Sequence, residues 1–184
     1  AVLFLVLSVG GLGSAFAGEV LNLVSGTENY PLGLHLSYFE DKDGRMSLQE
    51  VLEEETLQAF TPSQKAVPSF GFTKSSVWLR LDLHNQDSKI QRWLLECLYP
   101  PLDSINVYLI DADNNVVTYR GGDKLPFSKR VVKHRNVIFD VPLAIGESVR
   151  IYIRVRTEGS LQVPLFLRSP RAMLAKDHEE QFAL

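Results

Sequence analysis

Between residues 77 and 83 the chain alternates strictly. Val77, Leu79, Leu81 and Leu83 are aliphatic, and Trp78, Arg80 and Asp82 stand between them. Successive side chains of a strand point to opposite faces, so this run reads as a strand with one apolar face; a helix, with a period of 3.6 residues, would scatter the same aliphatics around its circumference. The pattern recurs. Arg92 to Tyr99, Ser104 to Ile110, Val116 to Arg120, Val137 to Val141, Ile151 to Val155 and Val163 to Leu167 each read as short strands, bounded by Asn85-Gln86-Asp87-Ser88, Pro100-Pro101, Asp111-Ala112-Asp113-Asn114-Asn115, Pro142, Gly146 and Glu158-Gly159-Ser160. Regularly punctuated strands of this length predict an all-β, antiparallel β-sandwich or jelly roll.

Two helices interrupt the β pattern. Ser47-Leu48-Gln49-Glu50 has the form of a capping box, in which a hydroxyl and a carboxylate satisfy free N–H groups at a helix start, and Leu48, Val51 and Leu52 follow at helical spacing. A short helix is expected near 47–58. Arg171 to Leu184 is rich in Ala, Glu and Leu with Pro170 just before it, and reads as a terminal helix. Leu34, Leu36 and Tyr38 suggest one further strand ahead of the turn-forming Glu40-Asp41-Lys42-Asp43-Gly44.

The first segment belongs to none of this. Ala1 to Leu12 is almost continuously apolar, and Ala15-Phe16-Ala17 supplies small residues two apart, the form of a signal-peptide cleavage site. The expected division is a partial signal peptide over 1–17, a β-sandwich or jelly-roll domain over 18–170 and a helix over 171–184. Cleavage before Gly18 would export the domain to the periplasm; retention of the segment would make it a membrane anchor.

With 45% hydrophobic and 22% charged residues the chain has the balance of a folded domain, and 19 basic against 22 acidic residues speak against a nucleic-acid partner. The lone Cys97 excludes an internal disulfide and a multi-cysteine zinc site. No nucleophile elbow, P-loop or dinucleotide-binding glycine pattern is found, and no cofactor is expected. His178-Glu179-Glu180-Gln181-Phe182 lacks the second histidine of a zincin helix. Asp41-Lys42-Asp43-Gly44 resembles the opening of a calcium loop, but its glycine comes two residues early and a turn before a capped helix accounts for it. Glu53, Glu54 and Glu55 point in different directions on a helix and do not make a catalytic carboxylate pair.

Parity singles out one candidate site. If the aliphatics of 77–83 face the core, Trp78 and Arg80 face away; if Ile151, Ile153 and Val155 face the core, Tyr152, Arg154 and Arg156 face away. Aromatic rings stack on sugar rings and apolar ligand bodies, and arginine offers a fixed fork of donors to carboxylates or hydroxyls. Two such strands side by side would make a ligand platform, over which the basic loop from Gly121 to His134 could bring Arg130 or Arg135. An ordinary sheet face with cross-strand pairs is the alternative for each residue taken singly.

The stretch Phe70-Gly71-Phe72-Thr73-Lys74-Ser75-Ser76-Val77-Trp78-Leu79-Arg80-Leu81, with Asn85 after it, resembles the second type of extracytoplasmic sensor domain of seven-transmembrane receptors with diverse intracellular signalling modules (7TMR-DISM). So do Tyr38 to Leu48, Pro100-Pro101-Leu102-Asp103, Ile151 to Val155 and Pro164 to Leu167, in the same order. The resemblance spans about Leu34 to Arg171. It implies a jelly roll similar to carbohydrate-binding modules, exported, and followed by membrane helices and a cytoplasmic output such as a histidine kinase or diguanylate cyclase. The expected function is a non-catalytic periplasmic ligand sensor for a carbohydrate or a small polar or anionic metabolite. A periplasmic docking or dimerisation module is the second reading, and a glycan-processing enzyme the third.

Overall fold

A computed structural model describes residues 19–99, 101–124, 126 and 134–182. The apolar leader and its cleavage site lie outside the described residues, as does Arg130.

The alternating run becomes the longest strand, β6 (Ser76–Gln86), at the centre of a seven-stranded sheet. β11 (Ser148–Arg156) pairs antiparallel with it along one edge, with Val149 opposite Leu83 and Val155 opposite Val77. On its other edge β6 is shared by β3 (Ser37–Asp41), antiparallel, and β1 (Val20–Val24), parallel. β8 (Ser104–Asp111) and β9 (Val116–Gly121) continue the sheet beyond β11, and the two-residue β4 (Thr61–Pro62) ends it beyond β3. A second, four-stranded sheet has the order β10 (Val137–Pro142), β7 (Arg92–Cys97), β13 (Leu165–Arg168) and β2 (Asn29–Pro31), all antiparallel. A two-stranded antiparallel sheet, β5 (Ser69–Phe72) with β12 (Ser160–Gln162), stands apart from both.

The aliphatic faces of the two sheets meet. Val77, Leu79, Leu81, Leu83, Ile151, Ile153 and Val155 pack in one continuous core with Trp93, Leu95, Cys97, Phe139, Val141, Leu165 and Leu167. This is the antiparallel β-sandwich that the alternation predicts. Burial pushes the Cys97 thiol up to about 11, so it behaves as a small core side chain.

Each sheet also carries a cover on its outer face. Over the large sheet lie two single-turn helices, α1 (Leu48–Val51) and α2 (Glu54–Gln58), where one continuous helix was expected near 47–58. The break is at Glu53, whose extended backbone (φ −66°, ψ 144°) starts the second turn without a side-chain cap. The predicted capping box is present: Glu50 N donates to Ser47 Oγ at 3.4 Å, and Ser47 N to Glu50 Oε2 at 2.7 Å. The strand anticipated from Leu34 begins later, at Ser37, because Gly33–His35 forms a 3₁₀ turn. Gly33 is required there: a Cβ at that position would stand 1.9 Å from the Ala66 carbonyl oxygen. Over the small sheet lies the terminal helix α3 (Pro170–Phe182), with Pro170 at its first position and Ser169 Oγ accepting from Ala172 N at 3.0 Å.

Candidate functional site

The antiparallel register of β6 and β11 sets Arg154 opposite Trp78 and Tyr152 opposite Arg80. All four therefore occupy one outer face of one sheet. Below them Arg150 lies opposite Asp82, and on the next strand Tyr108 lies opposite Tyr152. The face divides into two parts.

The first part is covered. Trp78 and Tyr152 have no exposed surface and form a second apolar cluster with Leu48, Val51 and Phe60 from the α1–α2 segment, joined by Phe39, Met46 and Leu57. Trp78 stacks on Tyr108 at 5.7 Å and Tyr152 meets the edge of Phe60 at 6.1 Å. Arg154 lies over the Trp78 ring at 5.9 Å, and its Nη2 donates to the Gly44 carbonyl at 2.6 Å, which ties the sheet to the turn that leads into the cover. That turn is built by Asp41, whose two carboxylate oxygens accept from Gly44 N and Met46 N, each at 2.9 Å, with Gly44 at φ 63° where an L side chain would be strained. Asp41 thus spends both oxygens on its own backbone, as an Asx turn does. Among the described residues no group of three or more His, Cys, Asp or Glu side chains is placed to hold a metal ion. Beneath the cover the Trp78 Nε1, Tyr152 hydroxyl and Arg154 Nε are buried without a hydrogen-bond partner.

The second part is open. Arg80, Asp82 and Arg150, with Val20, Ile110, Asp111 and Ser148 around them, line a groove of about 290 Å³. Asp82 joins the two arginines: Oδ2 accepts from Arg80 Nε at 3.0 Å and from Nη2 at 2.8 Å, while Oδ1 accepts from Arg150 Nε at 2.7 Å. Arg80 is buried, and Arg150 is about half exposed at the rim. Burial works to lower the Arg150 guanidinium, but the bond and charge of Asp82 outweigh it and hold its pKa above the ordinary value. Burial raises the Tyr152 phenol, against the opposing charges of Arg80 and Arg150. The groove therefore holds two arginines and two carboxylates: Asp82 is shared by both cations, while Asp111 accepts from Asp113 N and Asn115 N in its own hairpin turn. The half-exposed Arg150 guanidinium at the rim is the group whose geometry suits an incoming carboxylate or vicinal hydroxyls.

Of the residues that parity selects, Trp78, Arg80, Tyr152 and Arg154 stand side by side, and Arg156 sits exposed at the end of β11, opposite Ser104 of β8. Arg135 stands elsewhere: it pairs with Glu180 of α3, on the helix that covers the other sheet. Asp82 and Arg150 share the parity of Arg80 and Tyr152, two residues away, but nothing local signals that they meet: their bond joins residues 68 positions apart. A larger cavity of about 660 Å³ lies at one end of the sandwich among Ser25, Glu28, Asp87, Arg92 and Arg171. Loops and the starts of β7 and α3 wall it, and its carboxylates are occupied: Glu28 accepts from Arg171 and Ser169, and Asp87 from the N–H groups of Lys89 and Ile90.

Fold and groove together define a β-sandwich domain with a charged groove on one sheet and a helix on the other. The sequence model of the family 7TMR-DISM extracellular 2 matches residues 33–169, and the chain belongs to that family of extracellular sensor domains of seven-transmembrane receptors. The domain is accordingly extracytoplasmic, and its family is one of sensors and not of enzymes. A search of curated proteins gives no match.

Proposed function

We propose that this domain is the periplasmic ligand-binding element of a membrane-bound bacterial signalling receptor, and that it takes a carbohydrate or a small polar or anionic metabolite in the Arg80–Asp82–Arg150 groove. The observation that carries the reading is the sharing of one carboxylate by two arginines from neighbouring strands inside a cavity. An incoming carboxylate or diol would take the Arg150 fork that Asp82 leaves unfilled, and the rigid central strands would hold the donors in place. Membrane helices and a cytoplasmic module, a histidine kinase or a diguanylate cyclase, would then read the occupied state.

The test is a thermal-shift screen of the domain against sugars, amino acids and organic acids, followed by calorimetry on Arg150→Ala. A ligand present at a hundred times its Kd stabilises the native state by about 2.7 kcal/mol, a rise of several degrees in Tm. Loss of at least tenfold in affinity in Arg150→Ala, with unchanged stability of the free protein, supports the groove; unchanged affinity moves the site elsewhere.

A docking or dimerisation module remains the second reading, favoured by β9, an edge strand of the large sheet on which Val116 and Val117 are both nearly half exposed. Sedimentation of the domain across a hundredfold concentration range separates the two, since a concentration-dependent dimer abolished by Val117→Lys belongs to the second reading alone.

A further inference from the structure

Glu96 lies on the outer face of β7 with no exposed surface, and three elements converge on it. Arg168 of β13 donates to Oε2, Asn136 Nδ2 donates to Oε1 at 2.7 Å, and Lys176 Nζ of α3 donates to the same Oε1 at 2.7 Å. Around this centre α3 makes further polar contacts. His134 Nδ1 accepts from Asn136 N at 3.0 Å, so in the neutral ring Nε2 carries the proton and donates to Asp177 at 3.1 Å. Arg135 pairs with Glu180, Lys176 lies 3.5 Å from Glu180, and Arg171 at the root of the helix pairs with Glu28. Apolar contact is slight by comparison. Met173 is the only buried hydrophobic residue of α3, set against Leu94 and Ile138, while Leu174 and Phe182 are 58% and 88% exposed.

We infer that α3 is an electrostatic latch, a helix held on the small sheet chiefly by the salt bridge of Lys176 to the buried Glu96 and able to leave as a unit while the sandwich stays intact. An amphipathic helix normally docks by burying a broad apolar stripe, and α3 has none. A buried carboxylate must keep a partner. Glu96 keeps Arg168 and Asn136 when Lys176 departs, so undocking leaves a neutral, bonded pair in the sheet and returns to water a lysine that is well solvated there. The ladder of the small sheet does not run through α3, since β7, β10 and β13 pair by backbone bonds, and undocking uncovers only Leu94, Ile138 and the Glu96 centre on its outer face. That an undocked α3 carries ligand state onward rests on the sensor reading; the latch does not, and it is tested without ligand.

The experiment is hydrogen exchange, resolved by peptide, on the ligand-free chain with Lys176→Met, Lys176→Arg and Met173→Ala. Methionine keeps the aliphatic stem and helix propensity of lysine and removes the charge. The expected result is exchange over 174–182 at least tenfold faster in Lys176→Met, unchanged protection of β6 and β11, near-normal behaviour in Lys176→Arg, and a smaller effect in Met173→Ala. Three results overturn the latch: α3 protection within twofold of the parent in Lys176→Met, a larger release by Met173→Ala than by Lys176→Met, or loss of protection in the sandwich together with the helix.

Discussion

Asn85 shows how much one buried side chain can carry. It has no exposed surface, and its Nδ2 donates to the carbonyls of Ile90 at 2.7 Å and Leu143 at 2.8 Å, while Oδ1 accepts from Asp87 N at 3.1 Å. Alanine there would leave two carbonyls and an N–H without partners, each costing about 1–3 kcal/mol when buried. Urea unfolding of Asn85→Ala is expected to show a loss of about 3 kcal/mol or more, with the slope against denaturant unchanged. Trp78 is a comparable case with a different cause. Its burial under Val51 and Phe60 means that Trp78→Ala removes core volume, so a loss of about 3–5 kcal/mol in the same assay is expected whether or not a ligand is present. The rim residue Arg150 is therefore the cleaner probe of binding. Cys97 yields a third expectation: with a thiol pKa raised to about 11 by burial, it should resist iodoacetamide at pH 8 in the native protein and react at once in denaturant.

The α1–α2 cover is stabilised by local devices that can be removed singly. Ser47→Ala breaks the capping box and is expected to cost about 1 kcal/mol, concentrated in faster exchange of residues 48–60. The bonds from Ser47 hold the Glu50 carboxyl below its ordinary value of 4.5. A depressed carboxylate contributes stability that is fully present above its unfolded pKa and lost as pH falls through the folded one. The same sign holds for Glu28, lowered first by its bond from Arg171 and then by that from Ser169, and for Asp111, lowered by Asn115. Acid titration followed by hydrogen exchange should therefore loosen the cover and the root of α3 below about pH 4.5, before the sandwich core responds. The two covers differ in kind: one is an apolar lid with a capped start, the other a helix fastened by charge.

At the scale of the molecule, the sandwich separates two outer faces that bear the two unusual polar centres. The Arg80–Asp82–Arg150 groove lies on the large sheet and the Glu96 centre on the small one, with the shared apolar core between. A sensor that uses both must pass a change through close-packed strands, which shift as units more readily than they deform. Once a ligand is in hand, its saturation should alter exchange in 174–182 if the two faces are coupled; an unchanged α3 would leave a binding domain whose helix answers to something else.

The alternation at 77–83 and 151–155 determined by itself which residues share a face, because strand parity is a local property of the backbone. The capping box at Ser47 and Glu50 and the glycine turn after Asp41 are likewise written within a few neighbouring residues, and the succession of punctuated strands along the chain implied the sandwich. What lies against a face is not local. That Leu48, Val51 and Phe60 would cover Trp78 and Tyr152, that Asp82 would meet Arg150 from 68 positions away, and that Lys176 would reach Glu96 across 80 were decided by the packing of distant segments. Parity cannot distinguish a face turned to water from one turned to a second layer, since both leave the same alternation, and only the tertiary structure divides this one into a buried aromatic half and an open, charged groove.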